Sequence, residues 1–295
     1  MRERLQQWNI PILDSRLDTG VVVSVGMGST EECIALRADM DALPIQEKSG
    51  LPFSSKIDGI AHCCGHDLHS TALLYAAKML KRVEKEISGR ILLIFQPAEE
   101  KLNGYQSVIS TDVFIKYRPR FIIGLHTWPE ILAGTIGVRK RPSMAASDSL
   151  KLIVHGKGGH GAHPHKSVDP VCITGYILTV LQTIVSQNIA SLDSGVITIG
   201  KITGEIALNV ISDSVVLEGT VRSLDSSIRK LMQKRLKTLL SDIATGFGGS
   251  CDVEYHKGNP PVVNDAMVVD RIAKAGKEVL GEEKVIELEK GFHGV

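Results

Sequence analysis

The sequence predicts an α/β chain with two domains, and three observations carry that reading. Short apolar runs, too brief for helices, end in acidic or imidazole side chains. A later stretch alternates strand and helix patterns in the order βαββαβ. With 295 residues, 43% hydrophobic and 23% charged, the chain is large enough to bury two cores.

The most informative run is Ile91-Leu92-Leu93-Ile94-Phe95-Gln96-Pro97-Ala98, closed by Glu99 and Glu100. Its apolar part reads as a buried strand. Pro97 ends it, because proline cannot donate to a sheet ladder. Two carboxylates then emerge at the strand's C-terminal end, where open α/β sheets place their sites. Like charges this close repel unless a cation lies beside them. A metal ion is the natural cation, one glutamate ligating it while its neighbour handles a proton.

The other elements of the first region follow the same logic. Ile34-Ala35-Leu36 leads into Asp39 and Asp41, and Phe121-Ile122-Ile123-Gly124-Leu125 leads into His126. Cys64-Gly65-His66-Asp67 adds a thiolate and an imidazole on a further loop, ahead of a helix predicted through Leu68–Val83. Alone, each piece would pass as a strand end, a buried thiol or a packed histidine. Four at comparable loop positions make a metal centre. Thiolate, imidazole and carboxylate suit zinc, and they also permit manganese, cobalt or nickel. Cys63 reads as a small buried hydrophobe beside the ligand.

The second domain begins with a strand over Ser149–His155. Asp169-Pro170 opens a helix, since proline is favoured in a first turn. Its apolar face is Val171, Ile173, Ile177, Val180, Leu181, Ile184 and Val185. Strands over Gly195–Thr203 and Ser214–Arg222 follow. Asp225 caps a helix that buries Ile228, Leu231, Met232, Leu236, Leu239, Leu240 and Ile243, and Cys251–Tyr255 is the last strand. This order is the split, ferredoxin-like arrangement, one sheet covered on one face by two helices.

Composition narrows the partners. A net charge of +1 argues against nucleic acid and anionic membranes. There is no run of about 18 apolar residues, and Met1-Arg2-Glu3-Arg4 opens on polar sequence, so no membrane partner or leader is expected. Five cysteines without framework spacing point to a reducing, cytoplasmic setting.

Six stretches occur in order: Arg37-Ala38-Asp39-Met40-Asp41-Ala42-Leu43-Pro44, Cys64-Gly65-His66-Asp67, Gln96-Pro97-Ala98-Glu99-Glu100, Gly124-Leu125-His126, Gly158-Gly159-His160-Gly161-Ala162-His163-Pro164-His165 and Glu218-Gly219-Thr220-Val221-Arg222. Together they resemble the metal-dependent amidohydrolases of the aminoacylase, hippurate hydrolase, auxin-conjugate hydrolase and N-acetyl-diaminopimelate deacetylase group. The resemblance implies a zinc-peptidase-like catalytic domain interrupted by a ferredoxin-like lid that also dimerises. The catalytic domain would be 1–142 with 257–295, and the lid 143–256.

The resemblance also implies roles. Cys64, His66, Glu100 and His126 would hold two divalent ions, manganese or zinc, with cobalt and nickel as alternatives. Glu99 would be the general base for hydrolysis of a small N-acyl amino acid, such as an N-acetyl or N-benzoyl one. Asp39 would support the site, Asp41 would orient an imidazole, and Asp67 would support the site or cap its helix. His160 would donate to the tetrahedral oxyanion, in similar enzymes across a two-fold homodimer. Asn209 and Arg222 are the candidates for holding the amino-acid end, an arginine fork suiting a carboxylate. His163 and His165 either join them or pack the loop.

The pattern departs from the family at both ends. Relatives begin with a helix bearing a His-Pro-Glu-like segment and continue past the lid to a last histidine ligand. Here the chain opens at Met1-Arg2-Glu3-Arg4-Leu5 and stops at Phe292-His293-Gly294-Val295, and His293 lacks that ligand's context. The expectation is an incomplete catalytic domain with greatly reduced or no hydrolysis. The alternatives are a non-catalytic remnant, or a dipeptidase or aminopeptidase on the same scaffold.

Overall fold

A computed structural model of the chain describes residues 1–29, 32–101, 103–204 and 207–288. His293 lies outside the described residues. The chain divides into two compact units, Met1–Glu130 and Ile131–Val295.

The first unit contains α1 (Arg2–Gln7), β1 (Val21–Val25), β2 (Cys33–Asp39), α2 (His66–Arg82), β3 (Arg90–Gln96), α3 (Gly104–Ile109), α4 (Asp112–Tyr117) and β4 (Ile122–Gly124). Its sheet has the order β1-β3-β2-β4. β1 runs antiparallel to β3, while β3, β2 and β4 are mutually parallel.

The unbroken apolar run of β3 has a direct cause: both faces of the sheet are covered. Leu93 and Phe95 point to one side with Val21, Val23, Leu73 and Ala77. Leu92 and Ile94 point to the other with Val22, Ala35, Val108 and Tyr117. Helix α2 therefore packs on one face, and α3 and α4 on the other. From β2 the chain steps to β3 on one side, then crosses to β4 on the other. The C-terminal end of β2 is thus the switch point where open sheets leave a crevice.

The second unit contains β5 (Ile136–Val138), β6 (Arg141–Met144), β7 (Ala146–His155), β8 (Gly159–His160), α5 (Pro170–Asn188), β9 (Gly195–Gly204), β10 (Val210–Ile211), β11 (Ser214–Ser223), α6 (Ser226–Gly246), β12 (Ser250–His256), β13 (Val262–Asn264), α7 (Ala266–Leu280) and β14 (Val285–Glu287). β7, α5, β9, β11, α6 and β12 are the expected βαββαβ set. They form an antiparallel sheet of order β12-β7-β11-β9. β8 and β10 make a separate two-stranded ribbon, β13 pairs with β6, and β14 pairs in parallel with β5.

The caps fall where the residue types demand. Asp169 accepts from the Val171 N–H at 2.8 Å with Pro170 in the first turn, and Asp225 accepts from the Ser227 N–H at 2.6 Å. The core joins Leu150, Leu152 and Leu217 of the sheet to Ile173, Ile177, Leu181 and Ile184 of α5 and to Met232, Leu236 and Leu240 of α6. Val171 is a correction. It is 59% exposed, because it sits in the first turn of α5 before the helix reaches the sheet. α5 is long and apolar enough, by length and composition, to cross a membrane, with a mean hydropathy of 1.3. Its Ile173–Ile177–Leu181–Ile184 stripe is, however, part of the core described above.

One polar cluster in this unit was not foreseen. The buried carboxylate of Asp148 on β7 takes both arms of Arg229 from α6, with Nε at 2.8 Å. It also accepts from the Tyr255 hydroxyl and, at 2.9 Å, from the Gly258 N–H. Burial alone would raise the carboxyl's pKa, but these donors hold it below the usual carboxylate value.

Candidate metal centre

Three parallel strand ends and one helix N-terminus converge in the first unit. In register, Asp39 lies beside Gln96, and Arg37 beside Gly124. Asp41, the Glu99–Glu100 pair and His126 therefore follow adjacent strands by two to four residues. Ala98 adopts a left-handed φ of 51°, unusual for a residue with a Cβ, and turns the chain so that both glutamates leave the sheet. Gly65 (φ 82°) occupies the N-cap of α2, between Cys64 in the loop and His66 in the first turn.

Cys64, His66 and His126 offer ligand atoms within 4.8 Å of one another, and so do His66, Glu99 and Glu100. His66 belongs to both sets. Its Nδ1 lies 3.0 Å from the Asp41 carbonyl and 3.2 Å from Asp41 Oδ1. A carbonyl can only accept, so Nδ1 carries the proton and Nε2 presents its lone pair. His126 is fixed the same way, its Nδ1 donating to the Thr127 carbonyl at 2.7 Å while Nε2 faces Cys64 Sγ at 3.4 Å.

These residues fit a metal. His66 Nε2 and Glu100 Oε1 are both buried without a hydrogen-bond partner, 3.8 Å apart. Two such lone pairs facing each other cost about 1–3 kcal/mol apiece unless something electron-poor lies between them. Burial, then Glu100, Glu99 and Asp39, push the Cys64 thiol up to about 11. Burial pushes His126 down, toward the neutral, ligating form, and the Thr127 bond only partly opposes it. The site is rich in electron pairs and poor in charge to match them. A bound cation supplies that charge and deprotonates a coordinating thiol outright.

Asp39 is fully buried and forms a third such group with His66 and His69, its Oδ2 3.7 Å from His66 Nε2. Its Oδ1 takes the Nδ1 proton of His69 at 2.6 Å, and its Oδ2 takes an Arg37 guanidinium proton at 2.7 Å. Burial opposes ionisation, but these donors bring its pKa down to about 2. Glu99 moves the other way. Burial raises its pKa, Arg37 opposes, and Glu100 and Asp39 add to the rise.

Sequence reasoning missed His69, Arg37 and Gln96. His69 stands three residues after His66, on the same face of a helix that begins at the site, a signal readable from helical spacing. Arg37 precedes Asp39 by two residues on one strand face, and its Nε donates to Gln96 Oε1 at 3.0 Å. Two expectations are corrected. Asp67 caps nothing: the N-cap is Gly65, without a side-chain bond, and Asp67 is exposed in the first turn. Cys63 is exposed rather than buried, since it precedes the turn that carries Cys64 inward.

In the second unit, His160 and Asn209 meet on the β8–β10 ribbon. His160 pairs with Val210, and the Gly161 N–H donates to the Asn209 carbonyl at 2.8 Å. His160 Nδ1 accepts the Ala162 N–H at 3.1 Å, so Nε2 is the nitrogen that carries a donatable proton. His163 and His165 are exposed and make tilted and edge-on ring contacts in series with His160 rather than packing a core. Arg222 does not join them. It pairs with Ser147 at the opposite end of β11 from Ser214, about 25 Å along the strand.

Gly65 makes the centre possible. A Cβ there would lie 2.2 Å from Thr127 Oγ1 and 3.4 Å from His69 Nε2, on a backbone that L side chains rarely adopt. Gly65→Ala is expected to lower stability by about 1–3 kcal/mol. It should also weaken metal retention about tenfold or more. Thermal unfolding and elemental analysis after dialysis would measure both; unchanged metal content would show that the close approach is dispensable.

Comparison with known proteins shows the family. An N-acetyl-L-cysteine deacetylase of Bacillus subtilis is 42% identical over 275 residues, 93% of this chain and 66% of that protein. A hippurate hydrolase of Campylobacter jejuni is 35% identical, over 95% of this chain and 73% of that protein. The crystal structure of the Bacillus subtilis YXEP protein, described as a dinuclear metal binding peptidase from the M20 family, superposes with a TM-score of 0.86 at 32% identity. That match covers 99% of this chain and 76% of that one. The chain thus spans about two thirds to three quarters of the length of these relatives. A family model described as Peptidase family M20/M25/M40 matches residues 35–295, and with the strand-end cluster of thiol, imidazoles and carboxylates it shows that the chain belongs to that family.

Proposed function

We propose that this chain is a metal-dependent amidohydrolase that cleaves the amide bond of N-acyl amino acids, releasing a carboxylate and the free amino acid. Two divalent ions, manganese or zinc, would be held by Cys64, His66, Glu100 and His126. When bound, they polarise the scissile carbonyl and make a water nucleophilic near neutral pH. Glu99 takes the water's proton on its carboxylate and passes it to the departing nitrogen; the raised pKa suits a group that must hold a proton between the two steps. Asp41 fixes the His66 tautomer, and Arg37 balances the negative charge around Asp39 and Glu99.

The observation that carries the amidohydrolase reading over a peptidase one is the state of Asp39. His69 and Arg37 donate to its two oxygens, while Cys64 lies within ligand distance of His66 and His126, which supports the cysteine as the ligand. The deacetylase and hippurate hydrolase named above support the substrate class. Paired assays on N-acetyl or N-benzoyl amino acids and on dipeptides test it. Cleavage of the N-acyl amino acids is expected, and cleavage of dipeptides alone would overturn the reading.

We assign the lid to 143–256 and the metal-binding domain to 1–142 with 257–295. The pairing of β13 with β6 and β14 with β5, outside the lid sheet, supports that division. His160 is the proposed oxyanion donor, supported by the Nε2 proton. Asn209 and Arg222, at opposite ends of the lid, would hold one carboxylate only if two copies contributed them. A homodimer through the lid would do so, supported by edge strand β9 with its exposed Val196 and Ile202. The unpaired state of all five cysteines supports a cytoplasmic setting.

A further inference from the structure

His69 carries no role in the reading above, yet it is 0% exposed and lies against the metal centre. Its two nitrogens are both committed. Nδ1 meets Asp39 Oδ1 at 2.6 Å, and Nε2 accepts the backbone N–H of Thr127 at 2.8 Å, with Thr127 Oγ1 at 3.0 Å. Because Nε2 receives an N–H, its lone pair points at Thr127 and not at a metal. Nδ1 must then carry the proton that Asp39 takes. Thr127 is the residue whose carbonyl accepts from Nδ1 of His126. A chain of five residues follows: Arg37 holds Asp39, Asp39 sets the His69 tautomer, His69 anchors Thr127 by its N–H, and the Thr127 carbonyl orients the His126 ring.

We propose that His69 is a positioning residue that braces the ligand His126 through the backbone N–H and carbonyl of Thr127, and is not itself a metal ligand. The assignment rests on the metal-centre reading but not on any substrate. The loop that carries His126 follows β4, a three-residue strand at the edge of the sheet, so little else from its own strand fixes it. A brace from the buried start of α2 supplies the rigidity that a ligand on a loop otherwise lacks. The same geometry explains the glycine at position 65: only a residue without a Cβ lets Thr127 come this close to His69.

The test uses Co²⁺ alone as the probe, on the full chain. Wild type should take up Co²⁺ with a near-ultraviolet thiolate-to-cobalt band. His69→Leu should bind Co²⁺ about 10–100-fold more weakly and with altered visible bands, as removal of a group supporting a metal ligand does. His69→Gln, which can accept from Thr127 and donate to Asp39, should recover most of the affinity. Far-UV circular dichroism reports whether each variant folds. A folded His69→Leu with wild-type affinity and spectrum overturns the proposal while leaving the metal centre intact. A wild-type chain that takes up no Co²⁺ overturns the metal-centre reading and this proposal with it. Should His69→Leu fail to fold, histidine ¹⁵N spectra of the wild type decide. The His69 Nδ1–H tautomer, unmoved by Zn²⁺ that shifts His126, supports the brace; Nε2 protonation or a direct metal shift at His69 overturns it.

Discussion

Glu99→Gln is expected to lower kcat on N-acyl amino acids by about 10²–10⁴-fold. Bound metal per chain should stay unchanged. The carboxamide keeps the size of the side chain and its place beside Arg37, but it cannot take a proton from water or return one to the leaving nitrogen. Glu99 sits next to Glu100 and within ligand distance of His66, so a base and a ligand are hard to tell apart by position. The two readouts separate them. Loss of metal together with activity would make Glu99 a ligand, and activity within about tenfold of wild type would remove the base altogether.

Asp148→Ala is expected to destabilise the second unit by about 3–5 kcal/mol, because it strands Arg229 beside a buried apolar sheet without its partner. Tyr255→Phe removes one donor and should cost about 1.5–3 kcal/mol, as a hydrogen bond to a charged group does. Urea unfolding of the full chain, followed through the transition that melts the second unit, measures both. The pH dependence has a definite sign. Asp148 titrates lower in the folded protein than in the unfolded chain. Its contribution is therefore complete above about pH 4, the unfolded carboxylate value, and is lost as pH falls through the folded one. The gap between wild type and Asp148→Ala should shrink in that acid window. A gap that stays constant down to pH 2 would place the stabilisation elsewhere.

Much of the fold was legible because the physics that sets it is local. Asp169 and Asp225 cap their helices through N–H groups two or three residues away, and the buried stripe of α6 follows helical spacing. The ligand candidates were legible for a related reason. A strand's end and the residue type just past it are written contiguously, so Glu99, Glu100 and His126 announced themselves. Val171 misled because an apolar residue in a first turn satisfies the helical pattern without reaching the sheet.

What the sequence by itself determined is the βαββαβ set with its Asp169 and Asp225 caps, the runs that become β2, β3 and β4, and the chemistry available at those three strand ends. The tertiary structure alone decided which side chains meet. Asp148 and Arg229 are 81 residues apart, and His69 and Thr127 are 58 apart. No periodicity links such pairs; only strand order and helix docking bring them to bonding distance. Strand order also parted Asn209 from Arg222: Asn209 precedes β10, which pairs with β8 in its own ribbon, whereas Arg222 lies at the far end of β11. Local spacing reports what a chain can offer, whereas a buried carboxylate chooses its partner from whatever donor the packed core delivers.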